Sequence, residues 1–307
     1  MLLSFIVHQT NEFYGPASPE TSWVKTIVGP TIAGVITLLV FFLGLYFAKR
    51  RERINTRKEN NNLLNYHSLL AKNIVSTFND QAGHINTFAL EKRAHPFNFG
   101  NKLQLKVNRD VDRIQELDQS KLLKAFDKRN KLDEQTLEKF RKIYSCTDFL
   151  FAIRNQINEN TKVDHQMQIE LTNEFAVLAK DVEVKVASVV NKGRNNNLPN
   201  TDAYNGMWNG LNTLLAEFYT AMSNGTISID GNMTAFINPV RTLLLNSFSE
   251  LPEAEEILIG CKKTGDKHKA IEQYQFGASD EMQRIKTSIT NTTEMLAPLI
   301  PEFIPSK

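Results

Sequence analysis

The stretch GCKKTGDK, Gly260 to Lys267, comes nearest to a phosphate-binding loop. Four residues separate Gly260 from Gly265, which is the glycine gap of a loop whose backbone N–H groups cradle phosphate oxygens. Such a loop needs Lys and then Ser or Thr after the second glycine, to reach the outer phosphates and the magnesium ion. Asp266 and Lys267 stand there instead, and a carboxylate repels phosphate. The expected role is a helix end, where Lys262 and Lys263 suit the negative pole of the dipole.

The other reactive residue types are scattered. His8, His67, His84, His95, His165 and His268 form no HExxH or HxxxH pair, and Asp164 and His165 are neighbours that point in different directions on a helix. Cys146 and Cys261 belong to no CxxC or Cys/His spacing, so neither a zinc site nor a disulfide framework is expected. In RDVDRIQELD, Asp112 and Glu116 share a helix face, the arrangement for paired-carboxylate acid–base work. Arg109 and Arg113 interleave with them, which reads instead as a solvated, ion-paired surface. No catalytic residue, cofactor or metal is assigned from these patterns. An enzyme whose site assembles only in the fold stays open as an alternative.

The elements that carry these residues begin with a membrane-like segment. Ile27 to Ala48 holds 22 residues without a charge, a helix of about 33 Å against a hydrocarbon core of about 30 Å. A cleaved signal peptide is the rival; the run is long for one, no A-x-A-like site follows, and the basic residues come after it. Lys49, Arg50, Arg51, Arg53, Arg57 and Lys58, with Glu52, give residues 49–58 a net charge of +5 in a chain of 307 residues that totals +2. The N-terminal flank has Lys25 with Glu12 and Glu20. Basic flanks face the cytoplasm, so residues 1–26 are expected outside, with Trp23 and Tyr46 near the two interfaces. The sequons at Asn224, Asn232 and Asn291 would then stay unglycosylated. The collar serves as a topology signal, as a contact for lipid headgroups, or as both. Gly29, Ala33 and Thr37 place small residues on one helix face, where a second helix could approach closely.

Beyond residue 58 the periodicity is helical, giving an all-α cytoplasmic domain behind one transmembrane helix. Leu63 through Phe88 form a stripe ending before AHPFNFG, and Leu103, Val107, Val111, Ile114 and Leu117 form the next. Asp133 caps a helix, with Leu132 stapled to Leu137, whose apolar face runs from Phe140 to Ile157. A further helix carries Met167 to Val182; KDVEVKVASVV alternates like a strand but extends that stripe, so helix is preferred. Residues 191–202, NKGRNNNLPNTD, read as a linker between helical region 59–190 and helical region 203–307. In the second region, NGTISIDGN is a break with room for a short strand. Asn238 is expected as a cap with Pro239 at the first helical position, one helix follows Pro252, and another covers Asp280 to Leu296. The proline-rich tail APLIPEFIPSK is expected to be irregular. Phe97, Phe99, Phe303 and Ile304 pose a choice between core packing and partner contact: core is favoured for the two loop phenylalanines, while the tail is evenly divided.

The function expected is that of a single-span membrane-anchored protein whose helical domain binds protein partners or itself, with the lipid bilayer as the other partner and no nucleic acid or small-molecule substrate. The alternative is a single-span effector or sensor, of stress or phage-defence type, acting through oligomerisation of the span. Richness in Asn, Lys, Ile and Phe resembles AT-rich bacterial coding.

Overall fold

The computed structural model describes residues 29–303 except 107, 131, 132, 224, 226 and 227. Residues 1–28, including Ile27, Trp23 and the N-terminal flank, therefore lie outside the described residues, as do Leu132 of the expected staple, Asn224 and Ile304. The described residues are 89% helical and contain no strand. Two units are resolved, Met1–Leu64 and Asn65–Lys307.

Among the described residues eight α-helices follow one another: α1 Gly29–Ala94, α2 Asp110–Glu116, α3 Gln119–Asn130, α4 Glu134–Arg194, α5 Asp202–Ser223, α6 Ile229–Asn232, α7 Asn238–Ser247 and α8 Pro252–Leu296. A π-turn, Met233–Ile237, joins α6 to α7, and a 3-10 turn, Ala297–Phe303, follows α8. In the first unit, α1 has every residue from Pro30 to Tyr46 and on through Ala48 exposed. It is long and apolar enough to cross a membrane, with a mean hydropathy of 2.3 over its most apolar window.

In the second unit α1 ends at Ala94, just ahead of His95-Pro96, where proline forbids continuation. The Asp133 side chain accepts a hydrogen bond from the Thr136 N–H and caps α4 as expected. Both α4 and α8 are much longer than their sequence pattern suggests. The 61 residues of α4 merge two expected helices, and the 45 residues of α8 run straight through GCKKTGDK into the segment expected as a separate helix from Asp280. Gly260 is therefore no helix end. A Cβ there would stand 2.9 Å from Val182 Cγ2, so the glycine lets α8 close on α4.

Other local readings are corrected. The described residues among 101–109 hold no helix, and α2 starts only at Asp110. Gln81 fixes this segment from α1: its Nε2 donates to the Gln104 carbonyl at 3.1 Å and its Oε1 accepts from the Lys106 N–H at 2.7 Å. Around NGTISIDGN the described residues form no strand; the Ser228 hydroxyl accepts from the Gly231 N–H and starts α6. Asn238 is itself helical, because the π-turn already supplies its carbonyls, and it caps nothing. The tail winds into the 3-10 turn and buries Ile300, since Pro301 costs little in so short a helix.

Contacts between α4 and α8 run in opposite senses: Gln156 Nε2 donates to Glu281 at 3.2 Å, Glu174 pairs with Lys267, and Val182 meets Gly260. Beyond Asn65, α1 also lies antiparallel to α8. Thr293 Oγ1 donates to Asn79 at 2.7 Å, Gln283 Nε2 to Asn86 at 3.2 Å, and Ser279 Oγ to the Ala89 carbonyl at 2.7 Å. One end of the unit buries Phe175, Val182, Val186, Met207, Leu211, Phe236, Ile257 and Ile271 against one another. Toward the other end, Ile74, Ile85, Ile143, Leu150, Ile153, Ile285 and Ile289 are buried. Residues 195–201 turn α4 into α5, and helices from both sides of that turn share the first of these cores. The turn is a Schellman motif: the Asn197 N–H donates to the Lys192 carbonyl, the Asn196 N–H to the Gly193 carbonyl, and Asn196 has φ 55°.

Candidate functional site

Between the two sets of buried side chains the apolar stripes of three helices are interrupted at the same level. On α1 the sequence Ile85, Phe88, Ala89 continues into Lys92; on α4 Ile153, Ile157 leads to Asp164 and Gln168; on α8 Ile271 leads to Gln275 and Ser279. Helical spacing therefore carries polar groups into the interior, and Lys92 is 4% and Asp164 8% exposed.

The groups answer one another. Lys92 Nζ donates to Asp164 Oδ1 at 2.7 Å and to Gln275 Oε1 at 2.6 Å, and stands 5.2 Å from the centre of the Phe88 ring. Gln168 Nε2 donates to Asp164 Oδ2 at 2.8 Å, and the charge of the same carboxylate acts on the Tyr274 hydroxyl. Both oxygens of Asp164 are thus engaged, and the ammonium has two oxygen acceptors and a ring face. Burial pulls the Lys92 ammonium below its usual 10.5, opposed by the hydrogen bond and charge of Asp164. Burial, and then the Asp164 charge, push the Tyr274 hydroxyl well above its usual 10. The chemistry of this centre is positional: a donor with three protons, matched to fixed acceptors on two other helices.

Two further polar sites flank the bundle. Arg154 on α4 grips Asp112 with both nitrogens at 2.8 Å, donates to the Asn108 carbonyl at 3.1 Å and lies 4.8 Å from the Phe151 ring. The Arg154 hydrogen bond is what lowers the Asp112 carboxyl. So Asp112 is paired across helices rather than with Arg109 or Arg113, whereas Arg113 does pair with Asp110 at 2.9 Å. His268 stacks on Phe97 with ring centres 4.1 Å apart, and its Nε2 is 3.4 Å from Asp230 Oδ1. Phe97 and Phe99 are half-buried and pack against the apolar core, as expected for the loop.

The remaining sequence-derived candidates are not among the residues of this centre. Ala33 and Thr37 are exposed on α1, and the Thr37 hydroxyl donates back to the Ala33 carbonyl at 2.8 Å. Gly29 opens the helix and Phe303 closes the last turn. Lys49, Arg50, Arg51, Arg53, Arg57 and Lys58 are all exposed on α1. Among the described residues no three His, Cys, Asp or Glu side chains converge as a metal site would require. The Lys92–Asp164 centre escaped the sequence reading because its members stand 72 residues apart. The available signal was a charged residue in step with an apolar stripe.

Comparison with family models, with curated proteins and with solved structures finds no match to this chain.

Proposed function

We propose that the chain is a single-span membrane protein, with its N-terminus outside and a cytoplasmic helical unit that works by binding protein partners. The observation that carries this reading is Pro30–Ala48: 19 residues, helical, uncharged and exposed throughout. Left in water, such a surface costs roughly 25 cal/mol per Å², whereas hydrocarbon covers it. A signal sequence has similar length and composition, but the basic cluster that follows Ala48 is on the wrong side for one. The same cluster supports the orientation.

The test is alkaline extraction of membranes combined with protease added to intact cells. The expected result is a chain that stays in the membrane pellet, with the helical unit protected. A mature protein that begins after Ala48 would turn the segment into a leader and sink the reading.

The partner role is supported by α4. Val163, Val177 and Val184 stand at multiples of seven residues and are 58%, 69% and 55% exposed. That period keeps them along one side of the helix, the arrangement by which a further helix is engaged. Crosslinking in native membranes should give a defined complex that Val177→Asp with Val184→Asp abolishes, while helicity and thermal stability stay within experimental error of wild type. An unchanged complex would remove this face as the contact.

A further inference from the structure

The six cations of the collar share one helix, so their angular placement is fixed. At 3.6 residues per turn, Lys49, Arg53, Arg57, Arg50, Lys58 and Arg51 fall at about 0°, 40°, 80°, 100°, 180° and 200° around α1. The two acids, Glu59 and Glu52, fall at about 280° and 300°, with Asn55 at about 240° and Thr56 at about 340° beside them. Charge is therefore sorted around the helix: one face carries every cation and the opposite face carries both carboxylates. All six cations are exposed, and among the described residues none makes an ion pair or a side-chain hydrogen bond. A topology signal counts Lys and Arg near the end of a span and needs no such sorting.

We infer that this sorted face is a binding surface for anionic phospholipid headgroups, selected laterally from the surrounding bilayer. The inference rests on the reading of residues 27–48 as a span, which sets the collar at headgroup level. Four of the six cations are arginines, whose planar guanidinium forks match the two free oxygens of a phosphodiester. Removing the acids to the far side spares those phosphates a repulsive neighbour, and each cation near an anionic surface adds its own attraction. The face thus holds several headgroups on one side of the helix.

The experiment uses the full chain in phosphatidylcholine bilayers containing a trace of spin-labelled phosphatidylglycerol or spin-labelled phosphatidylcholine. The motionally restricted fraction gives the relative association of each lipid with the protein. Phosphatidylglycerol is expected to associate more strongly by at least about fivefold at low salt, and the preference to shrink at high salt. Arg50→Gln with Arg53→Gln and Arg57→Gln should bring the ratio close to one. A rearranged chain with Arg50→Gln, Arg57→Gln, Asn55→Arg and Thr56→Arg keeps the net charge but spreads it around the helix, and its ratio should fall below half the wild-type value. A wild-type ratio near one, or an undiminished ratio in the rearranged chain, overturns the inference. Release of the wild-type chain by alkaline carbonate would overturn the span reading and this inference together, whereas an integrated chain without selectivity overturns this inference alone.

Discussion

Lys92 enters the interior of the helical unit, and its pairing with Asp164 is what makes that tolerable. A buried pair gives little net stability over apolar packing of the same shape, but losing one member strands the other at about 3–5 kcal/mol. Lys92→Met should therefore destabilise the protein by that order, and Lys92→Met with Asp164→Leu should recover at least half of the loss. Denaturant midpoints of the three chains check this; a double variant as weak as the single one would refute it. Because burial lowers the folded-state pKa of Lys92, the unfolded chain binds more protons between that value and 10.5, so stability from this group rises with pH through the window. His67 gives the opposite end of the pH scale. It is fully buried, its ring 6.0 Å from that of Tyr144, and burial holds it down to about 4. The unfolded chain gains a proton as pH falls below 6.5 and the folded chain only near 4. Stability is whole above 6.5 and declines toward 4, by on the order of 3 kcal/mol. Urea midpoints at pH 7 and pH 4.5 should diverge less in His67→Phe than in wild type, and equal divergence would mean that His67 is not the sensitive group.

At the scale of elements, the end of α4 is the most exacting piece of backbone. Asn196 sits in the left-handed region that glycine adopts freely, so Asn196→Gly should stabilise the protein by about 0.5–1 kcal/mol, seen as a higher thermal midpoint. Gly193 is needed for another reason. A Cβ there would lie 2.2 Å from Trp208 Cδ1, and the indole is held by its N–H bond to the Val190 carbonyl at 2.9 Å. Gly193→Ala should cost about 1–3 kcal/mol and alter the near-ultraviolet dichroism of Trp208; a silent substitution would show that the ring gives way freely. These elements also mark what sequence reasoning reaches. Starts and stops with a chemical cause were legible: Asp133, Pro252, and the stop before Pro96. Continuity was not, since Gly260 and Gly265 look like a helix end until α4 is seen packed on α8, at which point Gly260 becomes a requirement. The polar centre was hidden for a related cause. In sequence Lys92 stands between Glu91 and Arg93 and Asp164 beside His165, and only the tertiary fold turns both inward.

For the whole molecule, the chain divides into a unit that holds the exposed apolar and basic run and a packed helical unit, so that under the proposed span lipid chemistry and protein chemistry fall in separate stretches of chain. The first was visible in composition alone, since a long uncharged run beside a basic one needs no partner to be recognised. The second depends on α8, which lines α4 along its length and bonds to α1 at Asn79, Asn86, Ala89 and Lys92. In chain order α8 follows every helix it completes. During synthesis the apolar N-terminal run, on the proposed reading a span, is therefore made first, while the later part of α1 and α4 still wait, their stripes open, for the strip that will close them. A ribosome stalled anywhere within α8 leaves an adhesive, half-built chain, and under the proposed span one tethered to the bilayer, not a smaller working protein. Quality control of the nascent chain is thus a demand imposed by the order in which its helices are made.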